Sequence, residues 1–133
     1  MPVLRSLLFV PGNRPRMLEK ALGLSPDAYM PDMEDAVPAG EKESARTVTA
    51  SFLPRLGAAG PLVIPRVNPV DSGLLEDDLV AVVGPHIYGV SVGKTDGADQ
   101  VRRISDLIDA LEKRVGLEVG RTRLVPWIES AMA

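Results

Sequence analysis

The 133-residue sequence contains no cysteine, so disulfides, a thiolate nucleophile and a cysteine-ligated metal are all absent from the chemistry it can offer. It has a single histidine, His86. Catalytic zinc sites take two or three His or Cys ligands, so zinc chemistry is not expected. A metal bound here is expected to be a hard cation held by carboxylates. Long apolar runs are lacking too. None approaches the roughly 18 residues needed to cross a bilayer. The opening stretch MPVLRSLLFVPG is too short for a signal peptide and carries Arg5 inside it. A cytoplasmic protein is the expectation. Neither sign of charge prevails: 15 basic and 18 acidic residues leave a net charge of -3. That balance argues against a nucleic-acid or membrane partner, and leaves room for a small anion held by local arginines.

What is present is the composition of a soluble globular domain, 45% hydrophobic and 25% charged, in a chain long enough to bury a core. Five apolar segments read as β-strands: Leu4–Val10, Asp27–Met33, Leu62–Val67, Ile87–Val92 and Arg123–Ile128. Helical patterns lie between them. In the fourth connection Val101, Ile104, Ile108, Leu111 and Val115 step by three and four residues, which puts one apolar stripe on a helix. The second connection repeats the pattern with Ala45, Val48, Phe52 and Leu56, and the first carries Leu18, Ala21 and Leu22 after Pro15, a residue suited to a first helical turn. Strands alternating with helices, the strands themselves almost continuously apolar, define an α/β chain with a parallel sheet. Two architectures fit. One is an open doubly wound sheet; the other is five consecutive units of a (β/α)8 barrel, which normally takes about 250 residues.

Pro31, Pro65 and Pro126 fall inside three of the five segments, where a proline removes a ladder hydrogen bond. Each lies within three residues of a charged group, Asp32, Arg66 or Glu129, and so marks where a strand gives way to a loop.

Polar residues collect at the C-terminal ends of the segments: Pro11-Gly12-Asn13-Arg14, then Asp32, Glu34 and Asp35, then Arg66 and Asn68, then Lys94, then Glu129. Parallel α/β folds bind ligands at that rim. Asp32 and Glu34 alternate along an extended chain and share a face, with Asp35 on the other. Carboxylates held close together repel unless a cation lies between them, so a metal suits the cluster; solvated loop carboxylates or a helix cap are the plain alternative. Arg66, inside the apolar Val63–Val67 run, must be paired. Its partner is either Asp32 or Glu34 in a structural ion pair, or a carboxylate or enolate ligand gripped by the planar fork, the reading we favour. Glu129 follows the apolar Leu124–Ile128 run and projects to the rim, or else serves the N-terminus of a following helix. Gly89-Val-Ser-Val-Gly-Lys-Thr95 looks like a phosphate loop but is one residue short of G-x-x-x-x-G-K-[ST], and it reads as a strand. His86 reads as a loop residue and Trp127 as core or barrel lining.

In order along the chain, Arg5-Ser-Leu-Leu-Phe-Val-Pro-Gly12, Asp32-Met-Glu-Asp-Ala-Val37, Pro65-Arg-Val-Asn68 and Trp127-Ile-Glu-Ser-Ala131 resemble the citrate lyase β-subunit, malyl-CoA lyase and HpcH/HpaI aldolase superfamily. The resemblance implies that residues 1–133 form one partial domain, the first five β/α units of a TIM barrel. It implies a Mg²⁺-dependent carbon–carbon lyase working by reversible Claisen or aldol cleavage on a hydroxyacyl-CoA of malyl, citramalyl or citryl type. Glu129 would ligate Mg²⁺, with Glu34 and Asp35 beside the metal and its waters. Arg66 would contact the substrate skeleton or its oxyanion, and Arg14 and Lys20 would approach the CoA phosphates beside a wall made by Phe9 and the Pro11-Gly12 turn. A trimer-based homo-oligomer is implied as well, with a C-terminal segment that reaches a neighbouring subunit.

Two features depart from that pattern. The family commonly has Pro-Lys where this chain has Gly93-Lys94, which leaves the part played by Lys94 open. Its second metal ligand, an aspartate on the next strand, would lie beyond Ala133, and no residue stands out as the general base. A truncated, non-catalytic paralogue serving as a binding or assembly partner is the competing expectation, and an open-sheet module of unrelated function a third.

Overall fold

The apolar segments become the staves of one parallel sheet in the structure, a computed structural model that describes residues 2–131. The strands are β1 (Leu7–Pro11), β2 (Ala28–Asp32), β3 (Leu62–Val63), β4 (Arg66–Val67), β5 (Gly89–Val92) and β6 (Arg123–Pro126). The helices are α1 (Pro15–Ala21), α2 (Lys42–Ala58), α3 (Leu75–Val82) and α4 (Ala98–Val115). Spatial order follows chain order, β1-β2-β4-β5-β6, with β3 also beside β2. Every pairing is parallel.

The two faces of the sheet separate cleanly. Val10, Tyr29, Val63, Val67, Val90 and Val92 belong to one buried cluster with Leu18 of α1, Leu56 of α2, Leu79 of α3 and Ile104 of α4. All four helices therefore cover the same face. The opposite face carries a small cluster of its own, Ala28, Met30 and Ile64, with Leu62, Tyr88, Val125 and Trp127 packed on it. A doubly wound sheet places helices on both faces and reverses its strand order at a switch point. Neither holds here, so the chain is singly wound.

The third stave departs from the single strand expected over Leu62–Val67. It breaks into β3 and β4 at Ile64-Pro65. Ile64 N donates to Tyr29 O at 2.9 Å and Met33 N to Arg66 O at 2.9 Å. The rung between them would need a donor from Pro31, which has no N–H. Against β5 the same stave stays bonded, through Tyr88 N to Val63 O and Ser91 N to Pro65 O. The first strand starts at Leu7 rather than Leu4, the fourth at Gly89 rather than Ile87, and the last ends at Pro126 rather than Ile128.

Helix faces are rotated slightly from the sequence pattern. In α2 the buried residues are Ala45, Thr49, Leu53 and Leu56, with Val48 and Phe52 only partly covered. In α4 Ile104 and Ile108 are buried as the stripe requires, but Val115 is exposed and Glu112 takes the next buried position. Its carboxylate accepts from Gly120 N at 2.6 Å and Thr122 N at 2.5 Å, fastening the loop that leads into β6. Burial pushes the carboxyl pKa up, but Thr122, through its side chain and its N–H, and then Gly120 N hold it below the ordinary value. The third connection folds as α3, for which the sequence pattern gave no specific stripe.

Candidate functional site

Alternation along a strand decides what reaches the rim. On β2 Ala28 and Met30 face away from the helices, and Asp32, two residues on, shares that face. Asp32 stands opposite Arg66, and Arg66 stands opposite Ser91. One row of the sheet thus carries an acid, a base and a hydroxyl. Asp32 and Glu34 are buried, at 1% and 3% exposure.

Arg66 grips Asp32 through both ends of its fork, Nε to Oδ1 at 2.8 Å and Nη2 to Oδ2 at 2.5 Å. This is the structural ion pair; the favoured reading, a ligand as its main partner, gives way to a carboxylate already in the chain. Asp32 also accepts from Glu34 N at 2.8 Å and Ala36 N at 3.2 Å, so it fixes the turn after β2 as well as the guanidinium. The remaining nitrogen, Nη1, lies 3.3 Å from Glu34 Oε2 and 3.8 Å from Asp35 Oδ2. Phe9 supports the group from below, with the guanidinium carbon 4.9 Å from its ring centroid. Trp127 is tilted against Phe9 at 6.0 Å between centroids, and its indole N–H donates to Ser91 Oγ. Asp32 raises the Arg66 pKa above its ordinary value.

Glu34, Asp35, Lys94 and Glu129 complete the cluster. Lys94 Nζ bridges Glu34 Oε1 and Asp35 Oδ1, the latter at 2.8 Å. Its backbone N–H donates to Glu129 Oε2 at 2.8 Å. Asp35 does not point away from Glu34 as extended alternation required, because the chain has left the strand after Asp32 and turns there. Asp35 holds the Lys94 ammonium well above its usual pKa, with Glu34 adding to it, and Lys94 in return lowers that of Asp35. Gly93 makes the meeting of the two glutamates possible. A β-carbon there would lie 2.9 Å from Glu129 Oε2, closer than such atoms come, and 3.2 Å from Glu34 Oε2, a tight contact, so the carboxylates would have to shift. Glu34 Oε2 is buried and has no hydrogen-bond donor; its 3.3 Å approach to Arg66 Nη1 lacks hydrogen-bond geometry.

Lys42, Asp78 and Arg46, which sequence reasoning passed over, hold this arrangement in place together with the rim residue Asn68. Lys42 Nζ donates to Met33 O at 3.0 Å and Glu34 O at 2.5 Å. Asn68 Nδ2 donates to Met33 O at 2.9 Å and to Asp78 Oδ2 at 2.7 Å, and Asp78, fully buried, takes Arg46 Nε at 3.0 Å. Nothing in the local sequence marks Lys42 or Asp78, since each is one charge among several at a helix start. Two expected residues do not join the cluster. Arg14 is exposed at the start of α1, and Lys20 lines a cavity of about 140 Å³ with Leu8, Met17 and Leu24 beside β1. Among the described residues neither forms an ion pair. His86 is exposed in the loop before β5. Residues 89–92 of the phosphate-loop look-alike are strand β5. A concavity of about 710 Å³ lies at the other end of the open face, lined by Leu4, Tyr88, Arg123 and Val125.

A singly wound parallel sheet with carboxylates, an arginine and a lysine gathered beyond its C-terminal strand ends defines an α/β protein with a charged rim, the end of the sheet at which parallel α/β folds bind ligands. The family model for HpcH/HpaI aldolase/citrate lyase matches residues 5–133, and the chain belongs to that family. It is 40% identical over 134 residues to the citrate lyase subunit beta of Haemophilus influenzae, covering 99% of this chain and 45% of the relative. The malate synthase of Haloferax volcanii in its magnesium and glyoxylate complex superposes with a TM-score of 0.90 at 23% identity, over 99% of this chain and 44% of that one. The citrate lyase beta subunit of M. tuberculosis with oxaloacetate and magnesium gives 0.67 at 23%, over 95% and 48%. These two likenesses show the fold. The chain spans less than half the length of the curated relatives it matches. No helix among the described residues is long and apolar enough to cross a membrane.

Proposed function

We propose that residues 1–133 supply the first five units of a (β/α)8 barrel and, with them, the metal-binding and anion-binding side of a Mg²⁺-dependent carbon–carbon lyase site. The single observation that carries this reading is the approach of two glutamates across Gly93, with Glu34 Oε2 buried and lacking a donor. Arg66 Nη1 lies 3.3 Å from that oxygen but is held by Asp32 and makes no hydrogen bond to it, so a further cation would lower the cost of its burial. Among the described residues no group of three or more acids or histidines is arranged to enclose a metal. Mg²⁺ fits that limit, because it is commonly held by one or two carboxylates and keeps several waters or substrate oxygens. Glu129 and Glu34 would hold it, with Asp35 beside them. The magnesium named in complexes of structural neighbours agrees.

The substrate reading is a hydroxyacyl-CoA of malyl, citramalyl or citryl type, cleaved by a reversible Claisen or aldol reaction. Bound Mg²⁺ would act as a Lewis acid on a carboxylate and its neighbouring oxygen. The chain's own contribution is positional. Asp32 and Phe9 fix Arg66 so that Nη1 faces the Glu34–Asp35 side of the rim, where it is aimed at negative charge that develops on the substrate without having to reorganise. Arg14 and Lys20 would meet CoA phosphates from α1. The general base and a further aspartate ligand come from outside the described residues, as would the neighbouring subunit of a trimer-based assembly. A second reading, in which this chain is an assembly partner, is favoured by β1 and β6, each paired on one side only among the described residues.

Titration of the chain with Mg²⁺ in a calorimeter tests the metal reading. Binding is expected, weakened at least tenfold, about 1.4 kcal/mol, by Glu129→Gln. Undetectable binding, or affinity unchanged in that variant, overturns the assignment.

A further inference from the structure

Lys94 occupies an unusual backbone. Among the described residues it is the one non-glycine with a positive φ, 53°, a left-handed conformation that a side chain with a β-carbon adopts at a cost. That conformation gives the residue two simultaneous contacts with the carboxylates of the rim. Its N–H meets Glu129 Oε2 at 2.8 Å, while its ammonium turns back across the cluster to Glu34 and Asp35. Gly93 immediately before it leaves no side chain between the two glutamates.

The charge count around this point is uneven. Arg66 is committed to Asp32 by two hydrogen bonds, and reaches Glu34 and Asp35 only at 3.3 and 3.8 Å. The Lys94 ammonium is therefore the cation hydrogen-bonded to both Glu34 and Asp35, its backbone N–H is the group that meets Glu129, and together they still leave Glu34 Oε2 without a donor. Its side chain is 52% exposed and hangs from a flexible stem, so the ammonium can swing into water when another cation takes its place at Glu34.

We propose that Lys94 is a resident counter-cation that holds the rim carboxylates together in the metal-free protein and competes with a divalent cation for Glu34, so that it sets how tightly that cation binds. This rests on the metal reading of Glu34 and Glu129 above. Lys94 is a positioning residue: the backbone N–H orients Glu129, and the ammonium keeps Glu34 and Asp35 from spreading apart by mutual repulsion. A divalent cation entering between the glutamates takes over that neutralisation, and two cations of like sign a few ångströms apart disfavour one another.

The experiment is calorimetric titration of the chain with Mg²⁺, repeated with Mn²⁺, on wild type, Lys94→Met, Lys94→Gly and Lys94→Arg. Loss of the ammonium in Lys94→Met and Lys94→Gly is expected to tighten binding by about tenfold, an order of magnitude set by like-charge repulsion at a partly exposed site. Lys94→Arg keeps the charge and is expected within about threefold of wild type. Lys94→Gly suits the left-handed backbone and keeps the N–H, so it decides the matter if Lys94→Met fails to fold. Melting scans supply a second readout: without metal Lys94→Met melts below wild type, and saturating Mg²⁺ narrows the gap. Equal or weaker affinity in both Lys94→Met and Lys94→Gly overturns the counter-cation role and leaves the metal site standing. No binding by any of the four proteins overturns both.

Discussion

The two faces of this sheet are made from the same strands and do different things. On one, four helices bury a continuous apolar cluster, with Leu18, Leu56, Leu79 and Ile104 all fully buried. On the other, the buried apolar set is Ala28, Met30 and Ile64, while Phe9 remains 40% exposed and the top of the face is given over to Asp32, Arg66, Glu34 and Lys94. Stability and chemistry are thereby separated by a period of two residues. The covered face supplies the burial that keeps the staves aligned, and the open face can then carry charges that would be poor choices for a core.

Substitutions matched across the sheet sharpen that contrast. Leu79→Ala, on the covered face, is expected to destabilise the chain by about 3 kcal/mol through lost burial and a residual cavity, read as a lower urea midpoint. Arg66→Ala, on the open face, is expected to follow at about 2 kcal/mol, because Asp32 loses two hydrogen bonds and is left buried with only its two backbone donors. That loss makes Arg66→Ala an impure test of catalysis. Arg66→Lys, which keeps the charge but not the fork, is the better probe of turnover in a complete enzyme and is expected to lose most of it. Phe9→Ala is expected to lower stability by no more than about 1 kcal/mol, since the ring is half exposed and contributes mainly its contact with Arg66. A Phe9 effect as large as that of Leu79 would break the comparison and make the open face part of the core.

The smallest effect lies at the opposite end of the strands. Asp27 accepts from the Arg5 side chain and from Arg5 N and Ser6 N, and these donors hold its carboxyl far below the ordinary range. A folded pKa below the unfolded one gives stability that is present above about pH 4 and is lost as pH falls below it. Asp27→Asn should therefore flatten part of the acid limb of a urea-midpoint profile between pH 6 and pH 2.5. An unchanged limb would place the acid sensitivity in other carboxylates.

Much of this could be read along the chain. Strand–helix alternation, the rim of polar residues after each strand, and the positions of Glu34, Asp35, Arg66 and Glu129 are local patterns, and period-two and period-3.6 burial makes such patterns visible without a partner in view. The break in the third stave was not legible, because it takes Pro31 on one strand facing Ile64-Pro65 on another. The buried Glu112 was hidden for a similar reason: its partners, Gly120 and Thr122, lie in a loop that only tertiary folding brings back to the helix.

Arg66 shows the division most clearly. The sequence by itself determined that a guanidinium inside an apolar strand needs an anion, since an unpaired buried charge is too costly to keep. Which anion it takes was a choice between Asp32, Glu34 and a ligand, and strand register decided it by setting Asp32 directly opposite. Lys94 followed the same logic in reverse. Its residue type and position predict a rim lysine with no assigned part, and the left-handed turn after Gly93 carries its ammonium across to two carboxylates some sixty residues away in the chain.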